Sequence, residues 1–236
     1  MKKIMVGINT LTSIDNPVYS NHCQFWFRLG RSMPEYDFAL YAPRRSSIDR
    51  MRNETAKLAL AHDFDYVCFI DDDVLVPIDG LTRLINADKD VVAGWTIIRG
   101  HPYENMFFKW DGDGLIKWND PPQSDGLLEV GAVGFSFVLI KTELIRKIPP
   151  PYFVTGPFNT EDIYFCVKAK KYVPDFSIFV DLDVKTAHCL GPEYIDPGNR
   201  PAYKEYFEKT YPEQIETQPT SNRADDYLEM VKDATA

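Results

Sequence analysis

Short apolar runs alternate with amphipathic stretches along the first hundred residues of this chain. Apolar runs at 4–8, 38–41 and 66–70 predict strands, and apolar residues at three- and four-residue spacing predict helices at 21–31 and from Ser46 or Ser47 to about Asp63. A strand, a helix and a strand within about thirty residues form a βαβ unit, whose crossover is almost always right-handed. The pattern therefore predicts an α/β fold with a mostly parallel central sheet flanked by helices.

The pattern becomes more irregular after residue 98. The further elements it predicts are a helix at 79–86, a strand at 90–96, an aromatic strand at 103–110, a turn at 111–114, a return strand at 116–118, alternating apolar and small residues at 128–140, helices at 142–147 and 161–170, and a strand at 177–180. We expect one mixed domain over residues 1–212, with halves at 1–98 and 99–212, and a C-terminal tail at 213–236 that has no strong pattern.

Three consecutive aspartates, Asp71 to Asp73, follow the predicted strand at 66–70. Open α/β folds bind ligands at the carboxyl ends of their strands. Crowded carboxylates repel one another, and a divalent cation such as Mg²⁺ or Mn²⁺ removes that penalty. A solvated acidic turn is the alternative that these residues alone leave open. In an extended backbone, Asp71 and Asp73 would face the same side and Asp72 the other.

Composition narrows the possible functions. The chain has 236 residues, of which 44% are hydrophobic and 14% aromatic, which is enough for a packed core. Its net charge of −9, with no basic block, makes nucleic acid an improbable partner, because such binding needs a cationic surface. Its four cysteines form no CxxC pair, so neither a zinc nor a disulfide framework is expected. No apolar stretch reaches about 18 residues, so we expect no membrane span and a cytoplasmic location.

Three further features follow the aspartates along the chain. Gly131 and Gly134 punctuate an apolar stretch, Glu161 and Asp162 open a predicted helix, and His188 follows a predicted strand. Each has a structural alternative: a strand bend packed on its neighbour, carboxylates stabilised by a helix dipole, or a histidine bonded at a strand end. Their order, more than any one of them, indicates a catalytic site.

This ordered set resembles the GT-A glycosyltransferases, in particular the family-2-like group and its short bacterial and viral members. The resemblance covers roughly residues 3–190. The segments that carry it are Phe69-Ile70-Asp71-Asp72-Asp73 for the DxD motif, Arg52-Asn53 in the preceding helix, Val130-Gly131-Ala132-Val133-Gly134 for the glycine loop, Thr160-Glu161-Asp162 for the xED motif, and His188 for the C-terminal histidine. It implies a single GT-A domain, Rossmann-like, with a nucleotide-binding first half and a more irregular acceptor half.

The resemblance also implies a reaction. A nucleoside-diphosphate sugar would be the donor, and a hydroxyl of a glycan or another molecule would be the acceptor. Mn²⁺ or Mg²⁺ held by Asp71, Asp73 and His188 would stabilise the leaving diphosphate, with Asp73 the more direct ligand. Asp162 would be the general base if the reaction inverts the anomeric centre, and Glu161 would bind the acceptor. The residues leave open which of these two carboxylates is the base.

The residues assigned to the nucleotide side of the site are Asn9, Thr10, Tyr41, Arg44, Arg52, Asp71, Asp72, Gly131 and Gly134. Tyr41 can stack on a base, and Arg44 or Arg45 can pair with phosphate. Two interpretations of Arg52 are open. It can contact the base or the pyrophosphate of the nucleotide, or it can be a charged residue on the solvated face of its helix. The chain departs from the family at the end of its second strand, where many members carry an aspartate that holds uracil, so the base is open.

Other functions remain possible on the same fold. A sugar-phosphate nucleotidyltransferase also begins with a nucleotide-binding βαβ unit, but its opening loop is rich in glycine, and residues 9–14 contain none. A non-catalytic module that binds carbohydrate or nucleotide sugar would keep the fold without the chemistry. A glycosyltransferase acting on modified DNA bases is disfavoured by the acidic charge.

Overall fold

The computed structural model describes residues 1–10, 13–112, 114–156, 160–191 and 193–212. Its helices are α1 (Asn16–Ser32), α2 (Ile48–Ala61), α3 (Gly80–Asn86), α4 (Thr142–Arg146), α5 (Glu161–Tyr172) and α6 (Arg200–Thr210). Its strands are β1 (Lys2–Asn9), β2 (Tyr36–Tyr41), β3 (Tyr66–Asp71), β4 (Val74–Leu75), β5 (Val91–Trp95), β6 (Phe107–Asp111), β7 (Gly114–Lys117), β8 (Leu127–Glu129), β9 (Ala132–Val133), β10 (Phe137–Lys141), β11 (Ile178–Lys185), β12 (Ala187–Cys189) and β13 (Tyr194–Ile195). The predicted tail at 213–236 lies outside the described residues.

The first half of the chain forms the predicted βαβ arrangement. Strand β1 lies between β2 and β3 and runs parallel to both. Helices α1 and α2 make the two crossovers. The register places Asn9, at the end of β1, beside Asp71, at the end of β3. The carboxyl ends of these two strands therefore meet at one edge of the sheet, as expected for a ligand-binding edge.

A seven-stranded sheet in the order β2-β1-β3-β10-β5-β11-β8 forms the centre of the molecule. Strands β2, β1, β3, β5 and β11 share one direction, and β10 and β8 run against their neighbours. The prediction of a mostly parallel central sheet is thus confirmed. The stretch at 128–140 is not one element, because β8, β9 and β10 divide it and pair with different strands.

Alternate side chains of the central strands fill two apolar layers, because successive residues of a strand point to opposite faces. Val67 and Phe69 of β3 join a cluster with residues of α2, α4 and α5. Cys68 and Ile70 join a second cluster with residues of α1 and α3. The sheet is therefore covered by helices on both faces, and β3 is buried until its last residue. This burial fixes the position of the aspartates that follow.

The second half adds two small sheets at the edge of the central one. Strand β12 pairs with β4 and β13, and β6 pairs with β7 and β9. The predicted strand at 103–110 begins only at Phe107, because Tyr103 has a φ of 56°, which an extended strand does not allow. The predicted hairpin is present, and Asp111 pairs with Gly114 across it. Helix α1 begins earlier than predicted, with Pro17 in its first turn, where a missing N–H is tolerated.

All four cysteines are free thiols. Cys68 and Cys166 lie fully buried in the core, as small apolar residues do. Within the described ranges, the helices are all too short or too polar to cross a bilayer.

Candidate active site

Segments far apart in the chain meet at the carboxyl edge of the parallel strands. The N–H of Asp71 donates to the Ser136 carbonyl oxygen at 2.9 Å, which joins the end of β3 to the segment before β10. The N–H of Cys189 donates to the Asp73 carbonyl oxygen at 2.8 Å, which joins the aspartate run to β12. The aspartates, the glycine stretch and His188 are therefore neighbours in space.

The aspartate run is a turn rather than an extended segment. Strand β3 ends at Asp71, the chain turns at Asp72 and Asp73, and β4 begins at Val74. The prediction that Asp71 and Asp73 face the same side rested on strand alternation, which ends where the strand ends. The two carboxylates have different partners instead. Asp71 meets Arg52, whereas Asp73 meets His188 and Arg99.

Arg52 links the first aspartate to the acidic pair of α5. Its Nη2 lies 3.0 Å from Asp71 Oδ1, and its Nη1 lies 2.6 Å from Glu161 Oε1. Nη2 also donates to the Phe135 carbonyl oxygen at 3.3 Å. Because Arg52 is only 2% exposed, the interpretation of a solvated helix charge is wrong. Its predicted contact with the nucleotide stays a prediction and would require the guanidinium to leave these partners.

Glu161 and Asp71 hold their protons more tightly than a carboxyl group in water does, because their pKa values are raised. Burial raises the pKa of Glu161 to about 7, although Arg52 opposes the shift and Asp162 adds to it. Burial likewise raises the pKa of Asp71, with Arg52 acting in the opposite direction and Asp73 adding to the rise. A carboxyl group with a pKa near neutrality can exchange a proton at physiological pH, which is the property of a general acid or base.

Asp162 is held by its own helix start and by the glycine stretch. Its Oδ1 accepts from the Ile163 N–H at 2.8 Å and from the Thr160 hydroxyl, and its Oδ2 accepts from the Phe135 N–H at 3.3 Å. These three donors fix the orientation of the carboxylate. The helix-dipole alternative explains part of this arrangement, since Asp162 lies in the first turn of α5.

Asp73 and His188 form the second pair of the site. His188 Nε2 lies 3.4 Å from Asp73 Oδ1, and His188 Nδ1 lies 2.9 Å from the Ile97 carbonyl oxygen. Burial alone would lower the pKa of His188, but Asp73 and the Ile97 carbonyl outweigh it, and the pKa is raised. Burial alone would raise the pKa of Asp73, yet the hydrogen bond and charge of His188, with the charge of Arg99, lower it.

This pair suits a divalent cation. When Nδ1–H donates to the Ile97 carbonyl, Nε2 carries the lone pair that a metal needs, and it points towards Asp73. Mn²⁺ and Mg²⁺ need few protein ligands when phosphates and waters supply the rest. Among the described residues, no three His, Cys, Asp or Glu side chains converge as a metal-binding group. Asp71, which is engaged by Arg52, stays a predicted ligand.

The remaining residues assigned to the nucleotide lie along the same edge. Asn9 is 2% exposed, and its side-chain amide has no partner among the described residues. Thr10 follows it and is half-buried. The Tyr41 hydroxyl donates to Glu54, and Arg44 is exposed nearby. A buried amide without partners is costly and is a natural place for a polar ligand, so the structure is consistent with a ligand at the end of β1.

The two glycines are close to protein atoms. A Cβ at Gly131 would lie 2.8 Å from Leu115 Cδ2 and 2.9 Å from Trp110 Cδ1, so packing on the β6–β7 hairpin already requires a glycine there. A Cβ at Gly134 would lie 2.5 Å from Met106 Cε and 3.5 Å from Asp162 Oδ2. Gly134 is therefore the one next to a candidate catalytic group, and contact of either glycine with a ligand stays a prediction.

Two residues near the site, Arg99 and Asn53, were given no role by the sequence, although Asn53 stands in one of the segments that carry the resemblance. Arg99 forms an ion pair with Asp73. Because Arg99 follows the strand at 90–96, the sequence could have indicated that it lies at the carboxyl edge of the central sheet. Asn53 donates to the Phe153 carbonyl oxygen at 2.6 Å and accepts from the Tyr152 N–H at 2.8 Å, so it ties α2 to the segment before α5. No local pattern could have shown that contact, since it joins residues about 100 positions apart.

A separate polar cavity lies at the opposite edge of the sheet. It has a volume of about 450 Å³, and its lining includes Lys141, Asp88, Arg146 and Asp63. These side chains pair with one another, with Lys141 Nζ 2.8 Å from Asp88 Oδ1 and Arg146 Nη2 3.0 Å from Asp63 Oδ1. These four charges are thus paired within the protein, and the cavity contains none of the candidate catalytic residues.

The central sheet, the acidic turn at its carboxyl edge and the flanking helices define a GT-A-like fold. The structure is similar to A197 from STIV, with a TM-score of 0.57 and 20% sequence identity over 84% of this chain and 91% of A197. At that identity the similarity shows the fold alone.

Two weaker similarities are also found. GalNAc-T7, crystallised with UDP, GalNAc and Mn²⁺, gives a TM-score of 0.49 and 11% identity over 79% of this chain, which spans only 43% of GalNAc-T7. UDP-glucose pyrophosphorylase, crystallised with UDP-glucose, gives 0.47 and 11% over 89% of this chain and 99% of that one. No protein-family model and no curated protein sequence matches the chain.

Proposed function

We propose that this protein is a metal-dependent glycosyltransferase that moves a hexosyl or pentosyl group from a nucleoside-diphosphate sugar to an acceptor hydroxyl, with inversion. The observation that carries the proposal is the convergence of two chemically different pairs at one sheet edge, Asp73 with His188 and Glu161 with Asp162. We further propose a cytoplasmic location, which the four free thiols support.

The donor side of the site would contain Asp73 and His188. A divalent cation bound there would neutralise charge that develops on the departing diphosphate. The lowered pKa of Asp73 keeps its carboxylate ionised, and the Ile97 carbonyl orients the imidazole. Asn9 would offer its unpartnered amide to the nucleotide at the end of β1.

The acceptor side would contain the carboxylates of α5. Asp162 is oriented by three donors, so its carboxylate would be placed to accept the proton of an acceptor hydroxyl. Glu161 lies beside it, and its raised pKa suits a group that donates a hydrogen bond to the acceptor or exchanges a proton with it. Two carboxylates with different environments support two different roles.

Purified protein should be incubated with a panel of nucleotide sugars and Mn²⁺, and released nucleoside diphosphate should be measured with and without added simple sugars as acceptors. We expect release from at least one donor, its loss on addition of EDTA, and a decrease of at least 100-fold in Asp162→Asn. Glu143→Gln, an exposed glutamate on α4, is the matched control and should behave as the wild type.

The same experiment separates the alternatives. A binding module would be stabilised against unfolding by a nucleotide sugar but would release nothing, and Asp162→Asn would leave that stabilisation intact. A nucleotidyltransferase would form nucleotide sugar and pyrophosphate from a sugar phosphate and a nucleoside triphosphate. Failure to bind any nucleotide, with or without Mn²⁺, would refute the proposal.

A further inference from the structure

Arg52 is a buried residue that contacts both Asp71 and Glu161. It belongs to α2, in the first half of the chain, and its side chain is 3% exposed. The guanidinium carbon lies 5.5 Å from the ring centres of both Phe69 and Phe135. These two rings are stacked, with centroids 6.3 Å apart. The side chain is therefore confined by the core and has little freedom to reach a ligand.

The polar contacts of Arg52 join three segments. Nη2 donates to Asp71 at the end of β3 and to the carbonyl of Phe135 before β10, whereas Nη1 forms an ion pair with Glu161 at the start of α5, without hydrogen-bond geometry. The guanidinium is planar and rigid, so its two nitrogens, one hydrogen-bonded to Asp71 and the other ion-paired with Glu161, restrict the separation of the two carboxylates. The two carboxylates are 90 residues apart in sequence, and the structure connects them through this one cation.

We propose that Arg52 is a positioning residue that holds Asp71, on the donor side, and Glu161, on the acceptor side, in one fixed arrangement. The inference rests on the proposed glycosyltransferase function, since it assigns those two sides. Arg52 touches neither substrate in this role. It acts through the two carboxylates, and it compensates charges that would otherwise repel each other inside the protein.

A lysine cannot replace this arrangement. Its ammonium is a single point of charge on a flexible chain, and it would approach one carboxylate at the expense of the other. Arg52→Lys therefore keeps a positive charge in the core and loses the bridge. Arg52→Met removes both the charge and the bridge. Arg50→Met, on the exposed face of the same helix, removes an arginine without touching the site and is the matched control.

The test compares steady-state kinetics and urea unfolding of these three variants with those of the wild type. We expect Arg52→Lys to remain folded and to lose about 100-fold in kcat, because small misplacements of catalytic groups cost that much. Its KM for the donor should change by less than about threefold, since Arg52 does not touch the nucleotide. Arg50→Met should match the wild type. If Arg52→Met does not fold, Arg52→Lys still provides the test.

A second measurement does not depend on activity. A double-mutant cycle combines Asp71→Asn with Glu161→Gln. When Arg52 is present, the effects of the two substitutions on the unfolding midpoint should be non-additive. In the Arg52→Lys background, the two effects should be additive or should show a coupling of opposite sign. Additive effects in the presence of Arg52 would overturn the proposed bridge.

The kinetic outcomes distinguish the inference from the function on which it rests. A donor KM that rises tenfold or more in Arg52→Lys with kcat unchanged would show a nucleotide contact and overturn the inference alone. Normal kcat and KM in a folded Arg52→Lys would likewise overturn it, because the residue would then only stabilise the fold. Absence of turnover in the wild type would overturn the proposed function and, with it, this inference.

Discussion

The carboxyl group of Glu161 should make the free energy of unfolding depend on pH, which can be measured directly. Glu161 is 5% exposed, and burial raises the pKa of its carboxyl from 4.5 to about 7, with Arg52 opposing and Asp162 adding to the shift. The folded protein therefore binds this proton more tightly than the unfolded chain does. Replacing Glu161 with glutamine keeps the shape of the side chain and removes its titration.

The magnitude follows from the difference between the two pKa values. A difference of roughly 2.5 units, at about 1.36 kcal/mol per unit, corresponds to about 3 kcal/mol. Because the folded pKa is the higher one, this stabilisation is present below pH 4.5 and is lost as the pH rises through about 7. The free energy of unfolding of Glu161→Gln, relative to the wild type, should therefore increase by about 3 kcal/mol between pH 4.5 and pH 8.

Urea unfolding of both proteins at half-unit steps of pH measures this difference, and groups that titrate alike in both proteins cancel. Glu143→Gln, at an exposed position, should give a nearly flat difference. A flat difference for Glu161→Gln, within about 0.5 kcal/mol, would refute the reasoning. So would a decrease with rising pH, because it would mean that the ion pair with Arg52 outweighs burial.

Two further predictions concern close packing and the metal. Gly94→Ala should destabilise the protein by roughly 1–3 kcal/mol, because the new Cβ would lie 2.9 Å from the backbone oxygen of Val184. Gly134→Ala should destabilise it less, because the atom nearest to its new Cβ is the flexible end of the Met106 side chain. Thermal unfolding compares the two, and equal midpoints would contradict this expectation. His188→Asn should need about ten times or more Mn²⁺ for the same stabilisation by a nucleoside diphosphate, followed by thermal shift; an unchanged titration would count against a metal ligand here.

Much of the fold could be read from local patterns. Near-continuous apolar runs become buried parallel strands, and 3.6-residue periodicity becomes the helices that cover them, as β1, α2 and β3 show. The antiparallel insertion of β10 could not be read in this way. Which strand pairs with which depends on contacts between distant residues, and the short apolar stretch at 128–140 contains no signal for three separate elements.

Part of the candidate site could likewise be predicted from the sequence, and part of it could not. The acidic turn, the pair Glu161 and Asp162, and His188 could be singled out because they follow one another along the chain in the order that the GT-A resemblance implies. The position of Arg52 could not, since an arginine off the apolar face of a helix is ordinarily solvated, and its burial depends on Phe69, Phe135 and two distant carboxylates. Tertiary contacts there override the local pattern.

The antiparallel strand β10 also has a consequence for the order in which the molecule can assemble. It lies between β3 and β5, both of which are complete before residue 96 is reached. A chain emerging from the ribosome therefore carries two strands with unpaired backbone groups on their facing edges until residue 141 has been made. Asn9 and Asp71 lie at the ends of early strands, but the gap between β3 and β5 closes only after the later strand β10 has been inserted.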